Sequence, residues 1–582
     1  MRVFLDLSWF FKRHWLAYLI GVLVLAVVSF LTLVPPRVIG MVVDLINTDS
    51  LTQVTLLRFV ALILGIGLVL YILRFIWRIL IFGASLKLAR HIRNDLYTHY
   101  TKMPDSLYHK RTTGNLMAIS TNDVRAVQAT AGEGVLTIVD AILLGGMVIG
   151  TMAITISWKL TLITLLPLPL MAILTSYYGS LLHKRFGVAQ AAFSSLNDTV
   201  QENINGIKVM KAFGQEQAEN ERFRKQSAIV VDKNMRVAKV DALFDPTISG
   251  VIGVCYILAI SFGARYVLAD ELTIGQLTTF VVYLGLLIWP MLALGMFFNV
   301  VERGRASYDR IREVLQNQTD LNEFPGAIDK KIIGDLKVDI NSFHYDGNSS
   351  AVLTDVCFEL KAGQTLGIVG KTGSGKTTLL SLLQRNMDVS KGAIYLDSIN
   401  LKQYKLRRVK EVFGIVPQEH FLFSATISEN VAFAKPQATI AEIISACQLA
   451  CVHEDILRFP DGYETLVGER GVTLSGGQKQ RISIARAILS SPAILMLDDS
   501  LSAVDAKTEE RILNALRKHH KEQTLIMTAH RLSAISHANL ILVMENGGIA
   551  QAGTHHELMR QGGWYKEMYE RQKLETIVEQ GG

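Results

Sequence analysis

The chain has 582 residues, of which 50% are hydrophobic and only 19% charged, and its formal net charge is +7. Soluble domains hold roughly 25% charged residues, so this balance excludes a disordered or fibrous chain and points to membrane spans, with length left for several domains. Four cysteines exclude a disulfide framework, and Cys447 and Cys451, without zinc-site spacing, read as core thiols.

From the start of the chain, Trp15 to about Val43 is uncharged apart from Arg37 and is broken by Pro35-Pro36. Arg2, Lys12 and Arg13 precede it and no small-residue cleavage site follows. It therefore reads as a retained span, not a signal peptide. Further apolar stretches run about Leu56–Phe82, Val135–Ile156, Leu160–Tyr178, Thr247–Leu268 and Leu277–Val300, which predicts six spans. Their links alternate. Short ones near Asn47–Gln53, Ser157–Lys159 and Asp270-Glu271 carry few basic residues, whereas long ones hold Lys87, Arg90, Arg93, Lys102 and others, then Lys184 through Lys239. The positive-inside rule puts the long segments, both termini and everything after Val300 in the cytoplasm. The basic excess is thereby accounted for by membrane lipids and topology, with no nucleic acid. Both long segments mix apolar and charged residues at helical spacing, which predicts helical hairpins reaching some 30 Å past the membrane. Their tips are expected near Thr113–Asp123 and Asn205–Gly214.

In the second span Arg74 falls near the inner edge and Arg78 beyond it, where snorkelling or pairing is expected, and Asp140 at similar depth is the candidate partner of Arg74. Pro35-Pro36 and Pro167/Pro169 should kink their helices. Trp77, Trp289, Phe297 and Phe298 are candidates either for packing or for lining an apolar cavity.

These features divide the chain into a membrane domain at 1–318 with cytoplasmic helical extensions, a linker at 319–335 containing Pro325 and Gly326, and a domain at 336–582. The last alternates short β runs with helical ones, the order of a parallel sheet covered by helices. Gly370-Lys371-Thr372-Gly373-Ser374-Gly375-Lys376-Thr377-Thr378 follows the strand Leu366–Val369 and opens a helix. The glycines let backbone N–H groups wrap phosphate oxygens at a helix N-terminus. Lys376 suits the β/γ-phosphates and the Thr377 hydroxyl suits Mg²⁺. Downstream, Ile494–Leu497 is an apolar strand ending in Asp498-Asp499. Asp498 fits the metal's surroundings, and Asp499 the place of a group that orients the attacking water. Between them Leu474-Ser475-Gly476-Gly477-Gln478 opens another helix and makes a second anion nest, which is most simply explained by a nucleotide held on another chain.

Taken together, Gly370–Thr377, Leu474–Gln478 and Leu497–Asp499 resemble the nucleotide-binding domain of an ABC transporter, and six spans followed by this domain resemble an ABC exporter half-transporter over essentially the whole chain. The resemblance implies a type IV exporter-like helical bundle joined to an α/β P-loop domain, with ATP and Mg²⁺ as ligands and a second half-transporter as partner. It implies that Tyr345 stacks on adenine, Gln418 is the Q-loop glutamine near Mg²⁺, and Thr465–Gly471 is the exporter X-loop. It further implies that Ser502-Ala503-Val504-Asp505 is the D-loop and His530 the switch histidine. Two such domains close head-to-tail on two ATP molecules, each between one P-loop and the other chain's Ser475–Gln478, and closure pulls on the hairpin tips.

One position departs from the family pattern. Active members usually carry glutamate where Asp499 stands. Aspartate withdraws the carboxylate by about 1.3–1.5 Å, and roughly 1 Å of misplacement can cost about a hundredfold in rate. The expectation is a chain whose own site binds ATP but hydrolyses it poorly, while its signature completes the site of a glutamate-bearing partner. That pattern resembles the degenerate halves, of BmrC and MdlA type, of heterodimeric bacterial multidrug exporters in the cell membrane. Alternatives are a homodimer in which Asp499 suffices, exporting lipid, peptide or iron chelate, and an ATP-gated channel.

Overall fold

Apolar segments with no water to bond must satisfy their backbone internally, and helices do this within one segment. A computed structural model describes residues 2–104, 107–108, 111–317, 321, 323–345, 350–468, 474–501, 504–519 and 523–581. The chain divides into two units, Met1–Lys102 with Arg111–Asn317, and Met103–Lys110 with Gln318–Gly582.

In the first unit every described element is helical. After two short N-terminal helices come α1 (Trp15–Thr32), α2 (Val34–Asn47) and α3 (Gln53–Tyr100). The chain returns through Thr113–Ala118 and two π-helical turns into α4 (Val135–Thr151) and α5 (Trp158–Leu165). Then follow α6 (Leu168–Asn205), α7 (Glu216–Asp241), α8 (Phe244–Leu268), α9 (Ile274–Leu286) and α10 (Ile288–Gln316). Each break within an apolar run has the same cause. Pro35, Pro169, Pro246 and Pro290 all fall in the first turn of the helix after the break, where a missing N–H costs nothing.

Proline also divides one of the expected spans between two helices. Five helical runs among the described residues are long and apolar enough to cross a membrane: Trp15–Asn47, Gln53–Tyr100, Thr113–Leu165, Glu216–Leu268 and Ile274–Gln316. The sixth expected stretch, Leu160–Tyr178, is cut at Leu166-Pro167 and shared between α5 and the start of α6. At about 1.5 Å per residue the 48 residues of α3 extend far past a bilayer core of about 30 Å. The short helix Ile207–Ala212 lies at the expected second tip, between the packed pair α6 and α7. The first tip lies earlier than expected. α3 ends at Tyr100 and the returning helical run starts at Thr113, so Thr113–Asp123 already lies on that run.

Two polar sites tie this unit together. The backbones of α2 and α9 touch at glycines: a Cβ on Gly40 would lie 2.4 Å from the Gly275 carbonyl oxygen. There the Asp44 carboxylate accepts from the Gly275 N–H and from the Thr273 hydroxyl, both at 2.7 Å. Elsewhere buried Asp123 accepts from Arg310 at 2.5 and 2.9 Å and from the Ser307 hydroxyl at 3.0 Å. The pairing considered for Arg74 is not formed. Asp140 instead accepts from the Trp289 indole N–H at 3.0 Å, and no ion pair joins it to Arg74. Of the four aromatics, Trp77 and Phe297 are buried packing groups, whereas Trp289 and Phe298 are exposed on this chain.

The second unit is a six-stranded sheet, ordered β10-β9-β3-β8-β7-β6, beside a four-stranded antiparallel sheet, β2-β1-β4-β5. The strands are β1 (Leu336–Phe343), β2 (Leu353–Leu360), β3 (Thr365–Gly370), β4 (Lys391–Leu396), β5 (Ile399–Asn400), β6 (Phe413–Val416), β7 (Ile494–Asp498), β8 (Thr524–Thr528), β9 (Leu540–Glu545) and β10 (Gly548–Gly553). β9, β3, β8, β7 and β6 run parallel. Strand alternation splits β7 between two cores: Ile494 and Met496 pack toward the small sheet, Leu495 and Leu497 toward the helices on the other face. Buried Cys447 belongs to the latter core, and burial pushes its thiol up to about 12. The stretch read as a linker runs against this unit: Ile328 pairs with the backbone of Gln403 and Lys405, and Asp329 pairs with Lys405 and Arg408.

Candidate functional site

The parallel topology brings the predicted chemistry to one sheet edge. β3, β8, β7 and β6 are neighbours, and their C-terminal ends lead into the glycine loop, the His530 segment, Asp498-Asp499 and Gln418 respectively. Ligands in open α/β sheets bind at such an edge.

At the end of β3 the chain enters the left-handed region at Gly370, Gly373 and Gly375, with φ of +149°, +82° and +97°. Side chains are excluded as well: a Cβ on Gly370 would stand 2.2 Å from the Met544 carbonyl oxygen, and one on Gly375 2.6 Å from Leu353. The loop thus presents backbone to a ligand and opens α11 (Lys376–Leu383). Lys376 donates to the Gly370 and Lys371 carbonyls at 2.8 and 3.0 Å. Burial draws its pKa below the ordinary lysine value, against the opposing pull of Asp498 and Asp499, which places all three groups in one field. Lys371, Thr372, Gly373 and Thr377 are exposed, while Ser374 and Thr378 are buried. The Thr378 hydroxyl is hydrogen-bonded to the Tyr345 hydroxyl at 2.9 Å, so Tyr345 stands beside the loop, with the Phe343 ring edge-on to it.

Thr528, which the sequence reading did not single out, organises the acids. Its hydroxyl donates to Asp498 Oδ1 at 2.7 Å and accepts from the Asp499 N–H at 2.8 Å. The signal was a polar residue closing the apolar strand Thr524–Met527 two positions before His530. Asp499 sits at φ +46°, an uncommon conformation for a non-glycine residue, fixed by that N–H bond. His530 Nε2 lies 3.6 Å from Asp499 Oδ2. Burial raises the Asp499 carboxyl above the usual aspartate value, His530 pulls it back, and the Asp498 charge adds to the rise. Arg531 donates to Glu509 at 3.2 Å and reaches the Val504 carbonyl at 3.5 Å. A small cavity of about 80 Å³ adjoins Asp499, Ser500, Glu509, His530 and Arg531.

Gln418 is exposed two residues past β6. The Gln418 amide oxygen, the Thr377 hydroxyl and the Asp498 carboxylate would together offer oxygen donors only, the kind of set that suits Mg²⁺. Asp505 caps the helix that follows it, accepting from the Thr508 N–H at 2.9 Å. Ser502 and Ala503 of the expected D-loop and Glu469–Gly471 of the expected X-loop lie outside the described residues.

The second nest opens α12 (Gly476–Leu489) with reciprocal capping: Ser475 Oγ accepts from the Gln478 N–H, and Gln478 Oε1 accepts from the Ser475 N–H. Arg481 braces this turn, donating to the Gly477 carbonyl at 3.2 Å and the Cys451 carbonyl at 2.6 Å, with Asp455 at 2.6 Å. Ser475 and Gly476 are exposed. Among the described residues no hydrogen bond joins Ser475–Gln478 to Gly370–Thr378.

Comparison with known proteins agrees with this layout. Residues 18–291 match the ABC transporter transmembrane region and residues 353–502 match the ABC transporter domain. The chain is 49% identical over 579 residues to "Multidrug resistance-like ATP-binding protein MdlA" of Escherichia coli (strain K12), covering 100% of this chain and 98% of that one. It is 44% identical to "Probable multidrug resistance ABC transporter ATP-binding/permease protein YheI" of Bacillus subtilis (strain 168), covering 99% and 98%. Its fold is similar to "Structure of a bacterial Atm1-family ABC exporter with ATP bound", with a TM-score of 0.82 and 25% identity over 97% of this chain and 99% of that one.

Proposed function

The chain belongs to the ABC transporters, with a transmembrane region and an ATP-hydrolysing domain in one polypeptide, and from that premise we propose that it is the degenerate half of a heterodimeric exporter in the bacterial cell membrane. The cargo is amphipathic or hydrophobic. Two full-length relatives bear multidrug-resistance names, and the apolar runs carry few fixed charges deep in the membrane, both of which support that class. Both termini and the second unit face the cytoplasm, in keeping with the basic long segments.

ATP bound by this chain meets the Gly370–Thr378 loop, Lys376 on its phosphates and Tyr345 against its base. Mg²⁺, held by Thr377, Asp498 and Gln418, neutralises charge on the phosphates when bound. Asp499 and His530 face the position of the attacking water. Aspartate is short for that task, so this site retains ATP and turns it over slowly. Ser475–Gln478 approaches ATP held on a partner whose own acid is glutamate, and that composite site turns over quickly.

The observation that carries this reading is the contrast between an intact, exposed signature turn and a shortened acid beside His530. The experiment is affinity purification of the chain from its native membrane, followed by dye export from vesicles containing what is recovered. A glutamate-bearing half-transporter at equal stoichiometry, and export that needs both chains, is the expected result. A homodimer that exports unaided rejects it.

A further inference from the structure

Resting on the nucleotide-site reading above, we infer that Gln572, near the C-terminus, is a positioning residue for the His530 switch. It lies on α13 (Trp564–Gly581). That helix is anchored near its start by Tyr565, fully buried, whose hydroxyl is hydrogen-bonded to His555 Nδ1 at 2.9 Å. Seven residues on, two helical turns and so on the same face, the Gln572 amide meets the switch segment. Its Nε2 donates to the His530 carbonyl oxygen at 2.7 Å, and its Oε1 accepts from the Leu532 N–H at 2.9 Å.

These two bonds bracket Arg531. Leu532 is the first residue of the short helix Leu532–Ile535, so its N–H has no partner within that helix, and no side chain of the preceding residue caps it. Gln572 Oε1 serves as the cap from a distance. The His530 carbonyl lies past the end of the β8 ladder, which stops at Thr528. One primary amide therefore satisfies an acceptor and a donor two residues apart, as a neighbouring strand would. Between them the Arg531 side chain turns to Glu509 and the Val504 carbonyl, and the His530 ring turns to Asp499. With the backbone fixed on both sides of Arg531, the ring's reach toward the γ-phosphate position is fixed too. Gln572 touches neither nucleotide nor metal in this account. It acts through His530.

The test uses the full-length chain assembled with its partner half-transporter in lipid nanodiscs, in an Asp499→Glu background that makes turnover at this chain's own site measurable. Gln572→Ala lowers kcat about fivefold or more, the loss expected for one to two hydrogen bonds, leaves KM for ATP within about twofold, and speeds hydrogen exchange at the Leu532 amide. Gln572→Glu keeps the acceptor for Leu532 but sets a carboxylate against the His530 carbonyl. Its kcat relative to the background recovers as pH falls and the introduced carboxyl regains a proton to donate. A merely structural role for the helix does not produce that recovery. Unchanged kcat and exchange for Gln572→Ala, or a pH-independent ratio for Gln572→Glu, overturns the inference. If Asp499→Glu itself fails to raise turnover, the degenerate-site reading is the one that falls, and the same Gln572 series is read on the unaltered chain.

Discussion

At the start of α12, Ser475 and Gln478 cap each other's backbone, Arg481 braces the turn from below, and Ser475 and Gly476 remain open to a partner. At the end of β7 the chemistry is compressed: Asp499 takes a left-handed backbone, leans on Thr528, and stands 3.6 Å from His530 in a half-buried corner. Both edges belong to one domain and follow the same family pattern. Only the second departs from it, by one methylene. A chain under no constraint to hydrolyse its own ATP can lose that methylene, yet must keep the signature if another chain's ATP depends on it. On the proposed reading, the difference separates what this chain does at its own site from what it offers to a partner's.

Four perturbations break or sharpen the contrast. Gly476→Asp places a carboxylate in the anion nest. In the assembled pair it should cut steady-state ATP turnover by about a hundredfold or more, as loss of a preorganised donor site does. ATP binding to this chain's P-loop, read by photo-crosslinking, stays unchanged. Asp499→Glu acts on the other edge and restores reach, so turnover at this chain's own site should rise by about tenfold to a hundredfold in single-turnover assays. Thr528→Val preserves shape but leaves the Asp499 N–H and an Asp498 oxygen without the hydroxyl. A cost of about 1–3 kcal/mol predicts a lower Tm together with weaker Mg²⁺-dependent ATP binding. The smallest effect concerns pH. The turnover step needs Asp499 ionised, and burial raises its pKa, so residual own-site turnover declines on acidification through a value above the ordinary aspartate figure of about 4. Because a raised acid pKa favours the protonated fold, stability moves the opposite way, increasing as that proton binds. Asp499→Asn removes this acid limb from the pH–rate profile.

Much of the molecule was legible in the sequence for a physical reason: its strongest signals are local. Gly370–Thr377 needs only consecutive residues to define a loop that a Cβ would block at Gly370 and Gly375. The apolar runs and the prolines that divide them are likewise local, and even the shared fate of Leu160–Tyr178 follows from Pro167 and Pro169. What escaped was pairing across the chain. Trp289 rather than Arg74 meets Asp140, Arg310 meets Asp123, and Gln572 meets the switch segment, each over a separation that residue spacing does not encode. Thr528 escaped because a threonine ending a strand is unremarkable until its neighbours on both sides are known to be β3 and β7.

The most direct test of the central claim is the steady-state ATPase rate of the purified full-length chain without any partner, in lipid, as a function of ATP concentration. Slow, non-cooperative turnover, rising sharply when a glutamate-bearing half-transporter is added, is the predicted result. Fast and cooperative turnover by this chain on its own would show that Asp499 serves catalysis well, and the asymmetry between its two edges would carry no functional meaning.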